Sequence, residues 1–440
     1  MKKVLKIAVC LLMIAAAGIA VYRFAFRKSI PDAPASEQVR AILEQNDCFV
    51  CHSQTPEIPL SKMPFIGKMM NKDAYHALRF TDLDSKVVEG IDEVTLSMLD
   101  HAASYGQMPP LKYRMVHWGT GFTKKEKSVI LAYVKEIRGS AEPIRVIPAS
   151  VEHDPAKAEL GERLFNDTRL SLDGTISCAT CHVLENGGAD HADERVSEGI
   201  NGLQGGVNAP TVYNAVFHHR QFWNGRAADL REQAEGPATN PVEMGDQTLE
   251  QIVARLSEDK SLVKEFEQLY PGEGLTPMTL TSAIAEFETT LITPHSRFDS
   301  YLSGDSQALS EEELRGYELF KEKACASCHT GVVLGGQSFE YLPVYGDYFA
   351  DRTEEIEYNS DDDGLKGFSG REEDLHKFKV PALRNVELTA PYFHDGSFQT
   401  LEEAVAAMGK YELGEKLSDS DIASMVAFMK TLTGKNSHLK

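Results

Sequence analysis

The sequence is poor in basic residues and in cysteine. Lys and Arg total 45 against 66 Asp and Glu, which gives a formal net charge of −21. This lack of positive charge disfavours nucleic acid or an anionic membrane face as the main partner, and a basic soluble protein or a neutral small molecule suits the chain better. Strand-like alternation is also scarce. We therefore expect a mainly α fold with long loops.

A long apolar run lies at the N-terminus. The run covers residues 7–22, between Lys2, Lys3 and Lys6 on one side and a basic group at 23–28 on the other. This is the pattern of an export signal. Small residues at 15–20 offer cleavage sites, but residues 4–26 are long enough to cross a bilayer if they are kept. We favour an uncleaved anchor that comprises residues 1–30. The short N-terminus with its three lysines would lie in the cytoplasm and the rest of the chain outside it.

The few cysteines form one repeated pattern. Cys10 lies inside the apolar run and is interpreted as apolar filler, and none of the six others is left outside a C-x-x-C-H motif. In such motifs two thiols bond to a haem and the adjoining His ligates its iron. Disulfides would not need a His each time, and zinc sites prefer paired motifs. The sequence therefore predicts three covalently bound haem c groups, attached through Cys48, Cys51 and His52, Cys178, Cys181 and His182, and Cys325, Cys328 and His329.

An internal repeat indicates how the chain is divided. GERLF at 161–165 precedes the second motif and GYELF at 316–320 precedes the third, the latter after a capping box from Ser310 to Glu313. Further caps at Thr123 and Ser418 open apolar helical patterns that include Val129, Tyr133, Val134 and Ile137 in one case and Ile422, Met425, Val426 and Met429 in the other. The prediction is three cytochrome c-like haem domains, at 31–140, 141–300 and 301–440, after the transmembrane helix. The acidic stretch 351–374 is interpreted as a solvated loop and not as a metal site.

The second axial ligand decides what each haem does. A Met thioether closes the iron and raises its potential for electron transfer, whereas an open position permits chemistry. In the first domain Met108 precedes two prolines and is the predicted ligand, with Met98 and Met115 as rivals.

Ordered motifs in the rest of the chain carry a family resemblance. The middle domain contains NAPT at 208–211, QFWNGR at 221–226, QAEGP at 233–237 and NPVEM at 240–244, and the last contains PALRN at 381–385, LTAPYFHDG at 388–396 and LEEAV before Met408. Over residues 150–435 the sequence resembles the bacterial di-haem cytochrome c peroxidases. With the extra N-terminal haem motif and the apolar run, it resembles the membrane-anchored tri-haem quinol peroxidases of the bacterial inner membrane.

The resemblance implies a role for each matching residue. The haem at Cys178 and Cys181 would be the peroxidatic one, and the haem held by His329 and Met408 the high-potential donor. Glu243 would be the acid–base carboxylate, Gln233 the amide that orients peroxide, and Trp223 the aromatic residue between the two haems. A calcium ion would bind the residues Asn208, Thr389 and Pro391. The expected partners are hydrogen peroxide and an electron donor, quinol or soluble cytochrome c, and the expected location is the periplasm.

One segment departs from the family pattern. Many relatives carry a distal His in the glycine-rich loop that here reads SEGING at 197–202, and Ile200 stands at its place. We therefore expect an iron that is open in the resting enzyme, although His191 lies upstream as a substitute ligand. Two rival functions remain. The chain could be an electron-transfer cytochrome without chemistry of its own, or an oxidase that matures tryptophylquinone cofactors, although such oxidases carry Tyr in place of Met408.

Overall fold

The protein is described by a computed structural model that covers residues 13, 17–18, 21, 27–53, 58, 62–63, 66–83, 91–110, 113–114, 117, 119–190, 195–353 and 355–440. It divides into two compact units, residues 1–143 and 144–440. No helix within the described ranges is long and apolar enough to cross a membrane. Nearly all of the predicted anchor at 4–26 lies outside those ranges, as do the rival ligands Met115 and His191.

The first unit is helical. Its described helices are α1 (Ala35–Gln45), α2 (Cys48–Cys51), α3 (Ile66–Phe80), α4 (Glu93–Tyr105) and α5 (Lys124–Arg138). Apolar residues of α1, α4 and α5, among them Ile42, Leu99 and Ile130, form its buried core. Arg27 forms an ion pair with Glu126, which is buried at the start of α5.

The second unit contains two similar sets of helices with a small sheet. The helices are α6 (Pro155–Phe165), α7 (Cys178–Cys181), α8 (Leu230–Thr239), α9 (Leu249–Leu256), α10 (Lys260–Leu269), α11 (Pro277–Thr290), α12 (Arg297–Leu302), α13 (Glu311–Glu322), α14 (Cys325–Cys328), α15 (Tyr348–Asp351), α16 (Lys366–Ser369), α17 (Leu401–Met408) and α18 (Asp419–Lys430). Strands β1 (Phe339–Tyr341) and β2 (Lys377–Lys379) pair antiparallel, with Phe339 opposite Lys379. The predicted mainly α fold is confirmed.

The predicted caps open the helices where the sequence indicates. Thr123 and Ser310 form capping boxes with the Glu three residues on, and Ser418 accepts a hydrogen bond from the amide of Asp421. Side-chain oxygens thus satisfy amides that have no partner inside the helix. The apolar pattern of α5 is wrong at one position, because Ile137 is 50% exposed while Ile130 is buried.

A glycine lets two helices cross closely in each half of the second unit. A Cβ on Gly161 of α6 would overlap the carbonyl oxygen of Ala283 in α11, and a Cβ on Gly316 of α13 would overlap that of Ser424 in α18. The ring of Phe287 packs beside the first crossing and the ring of Phe428 beside the second. The sequence repeat GERLF/GYELF is therefore a repeat of helix packing.

The two halves also share a loop and the helix that follows it. Residues 221–227 and 392–398 are each closed by a bridge between their ends. The second residue of each, Phe222 and Phe393, has a φ near +70°, with values of 67° and 72°. α8 and α17 begin at the same distance beyond these loops. This register makes each residue of 208–237 the counterpart of the one 171 positions later.

Two buried asparagines meet at one threonine between the halves. Asn214 and Asn385 each adopt a left-handed backbone conformation, with φ of 63° and 64°. Their side-chain amides donate to the hydroxyl of Thr293, over 2.8 and 3.0 Å. The Thr293 amide donates back to Asn214 Oδ1. All three residues are fully buried, so one side chain satisfies polar groups of both halves.

The interpretation of residues 351–374 as a solvated loop is wrong for part of the segment. Asp362 and Asp374 are buried. Arg352 donates to Asp362 over 2.9 Å and to Asp395 over 3.0 Å, and His394 Nε2 lies 2.8 Å from Asp362. Asp362, His394 and Asp395 are close enough together to hold a metal ion. The Arg352 guanidinium already neutralises the carboxylates, which is the usual condition for burying them.

Candidate functional site

Each C-x-x-C-H motif forms one helical turn that orients its histidine. The amides of His52, His182 and His329 donate to the carbonyl of the first Cys of the motif, over 3.0, 3.0 and 2.9 Å. The Nδ1 atoms lie 3.1 to 3.2 Å from the backbone carbonyls of Thr81, Gly188 and Leu334. An Nδ1–H bonded to a carbonyl leaves Nε2 as a lone-pair donor for a metal.

The six motif cysteines are free of disulfides, and the first cysteine of each motif packs against a hydrophobic core. Burial raises the pKa of the Cys325 thiol to about 12 and that of Cys181 to about 11. Neutral thiols in these motifs are compatible with covalent thioether attachment. Two neutral thiols and a histidine with a fixed tautomer, repeated three times, fit c-type haem.

The second motif opens on a cavity of about 190 Å³ that collects the predicted catalytic residues. Cys178, Cys181 and His182 line it. Glu243, Gln233 and Trp223, which are separated in sequence, line it as well. The structure therefore brings the three residues named from the family resemblance together at the second haem motif.

Glu243 is held by backbone and side-chain contacts. Asn240 Nδ2 donates to Glu243 Oε1 over 2.8 Å, and the Ile200 amide donates to the Glu243 carbonyl over 2.9 Å. Burial raises the pKa of Glu243, the positive charge of Arg226 opposes this, and Asp361 adds to it. A partly buried carboxyl group beside a cation can both release and accept a proton, which general acid–base catalysis requires.

Gln233 and Trp223 reach the cavity from adjoining segments. Gln233 lies on α8, whose first turn is capped by Asp229. The Trp223 indole donates to the backbone carbonyl of Asn208 over 2.9 Å, and its ring meets that of His394 edge to face at 6.4 Å. Trp223 is therefore anchored between a segment of one half and a loop of the other.

The loop that carries Ile200 is folded against the Glu243 segment. Gly199 donates to Leu203, and Glu198 bridges to Gln204. A Cβ on Gly199 would overlap the Val242 carbonyl, so only glycine fits there. Ile200 is 3% exposed and its side chain lies near Gly245. Ile200 has no ligating atom, and the open iron stays a prediction.

The repeat reveals a difference between the second and third haem motifs. Pro237 is the eighth residue of α8 and Met408 the eighth residue of α17. Pro237 lines the same cavity as His182, whereas Met408 packs against the same core as Cys325. Proline has no ligand atom, so the helix that offers a thioether in one half offers none in the other. The sequence already contained this correspondence, because Pro237 follows QFWNGRA at the same spacing as Met408 follows YFHDGSF.

In the first unit the predicted ligand is exposed. Met108 has 39% of its surface open to solvent. A different pair contacts the residue before Cys48: Tyr113 and His117 stack at 4.0 Å, and Tyr113 donates to Asp47. His117 Nε2 is buried without a partner among the described residues. The sequence assigned no role to His117.

The three predicted calcium ligands are partly brought together. Asn208 Nδ2 donates to the Pro391 carbonyl over 2.6 Å and to the Phe393 carbonyl over 3.3 Å. The Thr389 hydroxyl donates to Val386. A buried amide among backbone carbonyls is the kind of oxygen-rich setting that calcium uses once the amide turns its oxygen inward.

One buried acid in the cavity was not anticipated. Glu288, on α11, is 4% exposed, and its Oε2 has no partner among the described residues. Burial raises its pKa to about 8, so it is held neutral. Its counterpart across the glycine crossings is Met429, next to Phe428 as Glu288 is next to Phe287. Comparing the two halves in sequence would have revealed this replacement.

Known proteins resemble the chain along most of its length. Three families match it: a haem-binding domain over residues 22–136, di-haem cytochrome c peroxidase over 155–307 and cytochrome c over 314–433. The cytochrome c peroxidase Ccp of Escherichia coli K12 is 39% identical, covering 91% of this chain and 88% of that protein. The cytochrome c551 peroxidase of Nitrosomonas europaea is 42% identical, covering 69% and 88%.

Solved structures agree in fold. A MauG-like protein associated with microbial copper homeostasis superimposes with a TM-score of 0.56 at 30% identity, over 67% of this chain and 94% of that one. The di-haem peroxidase BthA of Burkholderia thailandensis, as its Y463M variant, shares the fold with a TM-score of 0.56 at 22% identity, over 66% and 90%. The relatives support a haem peroxidase role with covalently bound haem c. The chain belongs to the di-haem cytochrome c peroxidase family.

Proposed function

We propose that this protein is a tri-haem peroxidase that reduces hydrogen peroxide to water with electrons from quinol or from a soluble cytochrome c. The observation that carries the proposal is the cavity at His182, which Glu243 and Gln233 also line. Helix α8 contributes Pro237 to this cavity, at the position where the other half has methionine. The balanced reaction is hydrogen peroxide plus two electrons and two protons giving two waters. The haem supplies the electron-transfer chemistry when bound.

The side chains of the cavity have distinct parts in this reaction. Gln233 orients peroxide through its amide, which can donate and accept hydrogen bonds. Glu243 takes the proton from the near oxygen of peroxide and returns it to the far oxygen as the O–O bond breaks, so that the departing group leaves as water. Arg226 keeps Glu243 ionisable against the effect of its burial. Trp223 lies between the two halves of the second unit, at the expected path of the electrons.

The proposal assigns one haem to each motif. Domain 31–140 would carry the haem of His52 and Met108, domain 141–300 the peroxidatic haem of His182, and domain 301–440 the donor haem of His329 and Met408. A calcium ion at Asn208, Thr389 and Pro391 would join the last two domains. Residues 1–30 would anchor the protein to the inner membrane, with the haem domains in the periplasm.

Two electron donors suit the chain. A haem held near the bilayer would collect electrons from quinol, whereas the net charge of −21 suits a basic soluble cytochrome. The rival function, an electron-transfer cytochrome without chemistry, leaves Glu243 and Gln233 without a task.

The experiment is steady-state peroxide reduction by the detergent-solubilised full chain, with a reduced quinol analogue or reduced cytochrome c as donor. The matched variant replaces Cys48 and Cys51 by Ser (Cys48→Ser, Cys51→Ser), which removes only the first haem. Quinol-driven turnover that is lost in this variant, while a small artificial reductant still supports turnover, establishes the quinol peroxidase. Turnover with cytochrome c alone makes a soluble cytochrome the donor, and absence of turnover with every donor favours the electron-transfer cytochrome.

A further inference from the structure

The cavity contains a buried lysine for which the peroxidase chemistry has no use. Lys379 of β2 is 5% exposed, and its Nζ lies 3.0 Å from Nδ1 of His218. Both residues line the cavity at His182. No acidic side chain among the described residues pairs with Lys379, whereas Arg226, another cation of the cavity, is attracted to Glu243 and Asp361.

The hydrogen-bonding groups of this pair are not in balance. A lysine ammonium has three donors, and His218 Nδ1 accepts one of them. The proton of His218 is then on Nε2, which is buried without a partner among the described residues. Donors thus outnumber acceptors in a place that water reaches poorly. Burial also lowers the pKa of Lys379 to about 7, a cost that a neighbouring anion would remove.

The internal repeat gives this lysine a counterpart. Segments 208–214 and 379–385 both have proline as third residue and a left-handed asparagine as last. The Asn208 amide donates to the carbonyl of His394 and the Lys379 amide to that of Trp223, each over 2.8 Å. Lys379 therefore stands where the other half has Asn208, the proposed calcium ligand.

The two sites differ in the charge that they can accept. At Asn208 a neutral amide faces backbone carbonyls, which suits a cation. At Lys379 the chain brings its own positive charge and a second donor, His218. The complementary ligand is an anion with more than one acceptor atom, and a carboxylate has that chemistry.

We propose that Lys379 and His218 form a carboxylate-binding site that holds a propionate group of the haem attached at Cys178 and Cys181. This inference rests on the proposed attachment of haem at that motif. A haem carries two carboxylates on an otherwise largely apolar ring, and the cavity that contains Cys178 and Cys181 contains this unmatched pair of donors. The lysine would position the cofactor and set its potential without touching peroxide.

The test compares two lysines of one strand in the full chain. Lys379→Met removes the buried charge, and Lys377→Met removes the charge of a half-buried lysine that pairs with Asp374. Haem attachment at each motif is first measured by mass spectrometry of peptides. Then redox infrared difference spectra are recorded with haem labelled with ¹³C at its propionates, and the reduction potential of the peroxidatic haem is titrated.

We expect Lys379→Met to shift the labelled carboxylate bands and to lower the reduction equilibrium constant of that haem about tenfold, or about 59 mV for one electron, because a nearby cation favours the reduced state. Lys377→Met leaves both unchanged, and Lys379→Arg keeps them close to those of the parent. If Lys379→Met does not fold, Lys379→Gln takes its place.

The alternatives give other results. Unchanged labelled bands with an altered potential would mean that another anion, such as a free carboxylate from solution, is the ligand, and the inference would be wrong. Equal effects of the two lysine substitutions would also overturn it. Absence of haem at Cys178 and Cys181 in the parent chain would instead contradict the proposed function.

Discussion

The two halves of the second unit use one framework for two different environments. Both have a glycine at the crossing of their long helices, a histidine oriented by a backbone carbonyl, and a left-handed asparagine that bonds Thr293. Two of their differences lie at the cavity. There the middle half has Pro237 and Glu288 where the last half has Met408 and Met429.

This comparison teaches that packing and chemistry depend on separate residues. The shared positions are those where two backbones approach or where a buried polar group needs a partner, and a change there would disturb the fold. Pro237 and Glu288 line the cavity, where a substitution changes the polarity of the lining or the atoms that it offers as ligands. Four predictions test whether the division is real.

The largest effect is expected from Glu243→Gln, which removes the proposed acid–base carboxyl of the middle half. Loss of a positioned general acid–base group lowers turnover by about 10²–10⁴-fold. The measurement is steady-state peroxide reduction with a saturating donor. Glu250→Gln, an exposed carboxyl on α9, is the matched control and should retain parental turnover. A Glu243→Gln enzyme within twofold of the parent would exclude this carboxyl from the chemistry.

The next effect concerns Met408, the proposed axial ligand of the last half. Met408→His should lower the reduction potential of the haem at His329 on the order of 100 mV, because thioether ligation favours the reduced iron and axial ligands span about 0.8 V. Redox titration followed at the haem absorption bands measures it. Met425→Leu changes a buried methionine of the same core and should leave the potential unaltered. Equal potentials in Met408→His and the parent would mean that Met408 is not the ligand.

The shared framework is tested at its glycines. Gly161→Ala and Gly316→Ala should each lower the free energy of unfolding by about 1–3 kcal/mol, because the new methyl overlaps a backbone carbonyl of the crossing helix. Chemical denaturation followed by circular dichroism gives the values. Gly367→Ala, whose Cβ would have ordinary clearance, is the control. A large effect at only one crossing would show that the halves do not share this contact.

The last prediction concerns the free energy of unfolding and its change with each unit of pH. The pKa of Glu288 is raised from 4.5 to about 8, so its contribution to stability is full below about pH 4.5 and is lost as the pH rises to about 8. Glu288→Gln should remove this loss, at most about 1.4 kcal/mol for each pH unit. Denaturation of parent and variant across this window measures the difference. Parallel curves would show that Glu288 is ionised in the folded protein. The control is Glu286→Gln, which changes a half-buried glutamate on the opposite side of the same helix.

Much of the framework could be predicted from the sequence because it depends on local patterns. The haem motifs, the caps at Thr123, Ser310 and Ser418 and the repeated GERLF/GYELF segments all act within a few residues of themselves. The structure confirms the caps and the helical repeat. The same local rules were wrong at Ile137, where the apolar pattern of α5 turns toward solvent.

The cavity was less predictable because its members are distant in sequence. The family motifs predicted Glu243 and Gln233 as site residues. Lys379, His218 and Glu288 belong to the site only because the fold brings them to the same cavity. Asp362 was misjudged for the same reason: a run of aspartates indicates a solvated loop until Arg352 and His394 are folded over one of them. Long-range charge pairing leaves no periodic signal in a sequence.

The hydroxyl of Thr293 accepts one hydrogen bond from each half, so one side chain of the middle half serves a buried amide of both. Loss of the middle half would leave the buried Asn385 amide without this partner, whereas loss of the last half would leave Asn214 still bonded to Thr293. Through Thr293, the last half thus depends on the middle half for a buried hydrogen-bond partner.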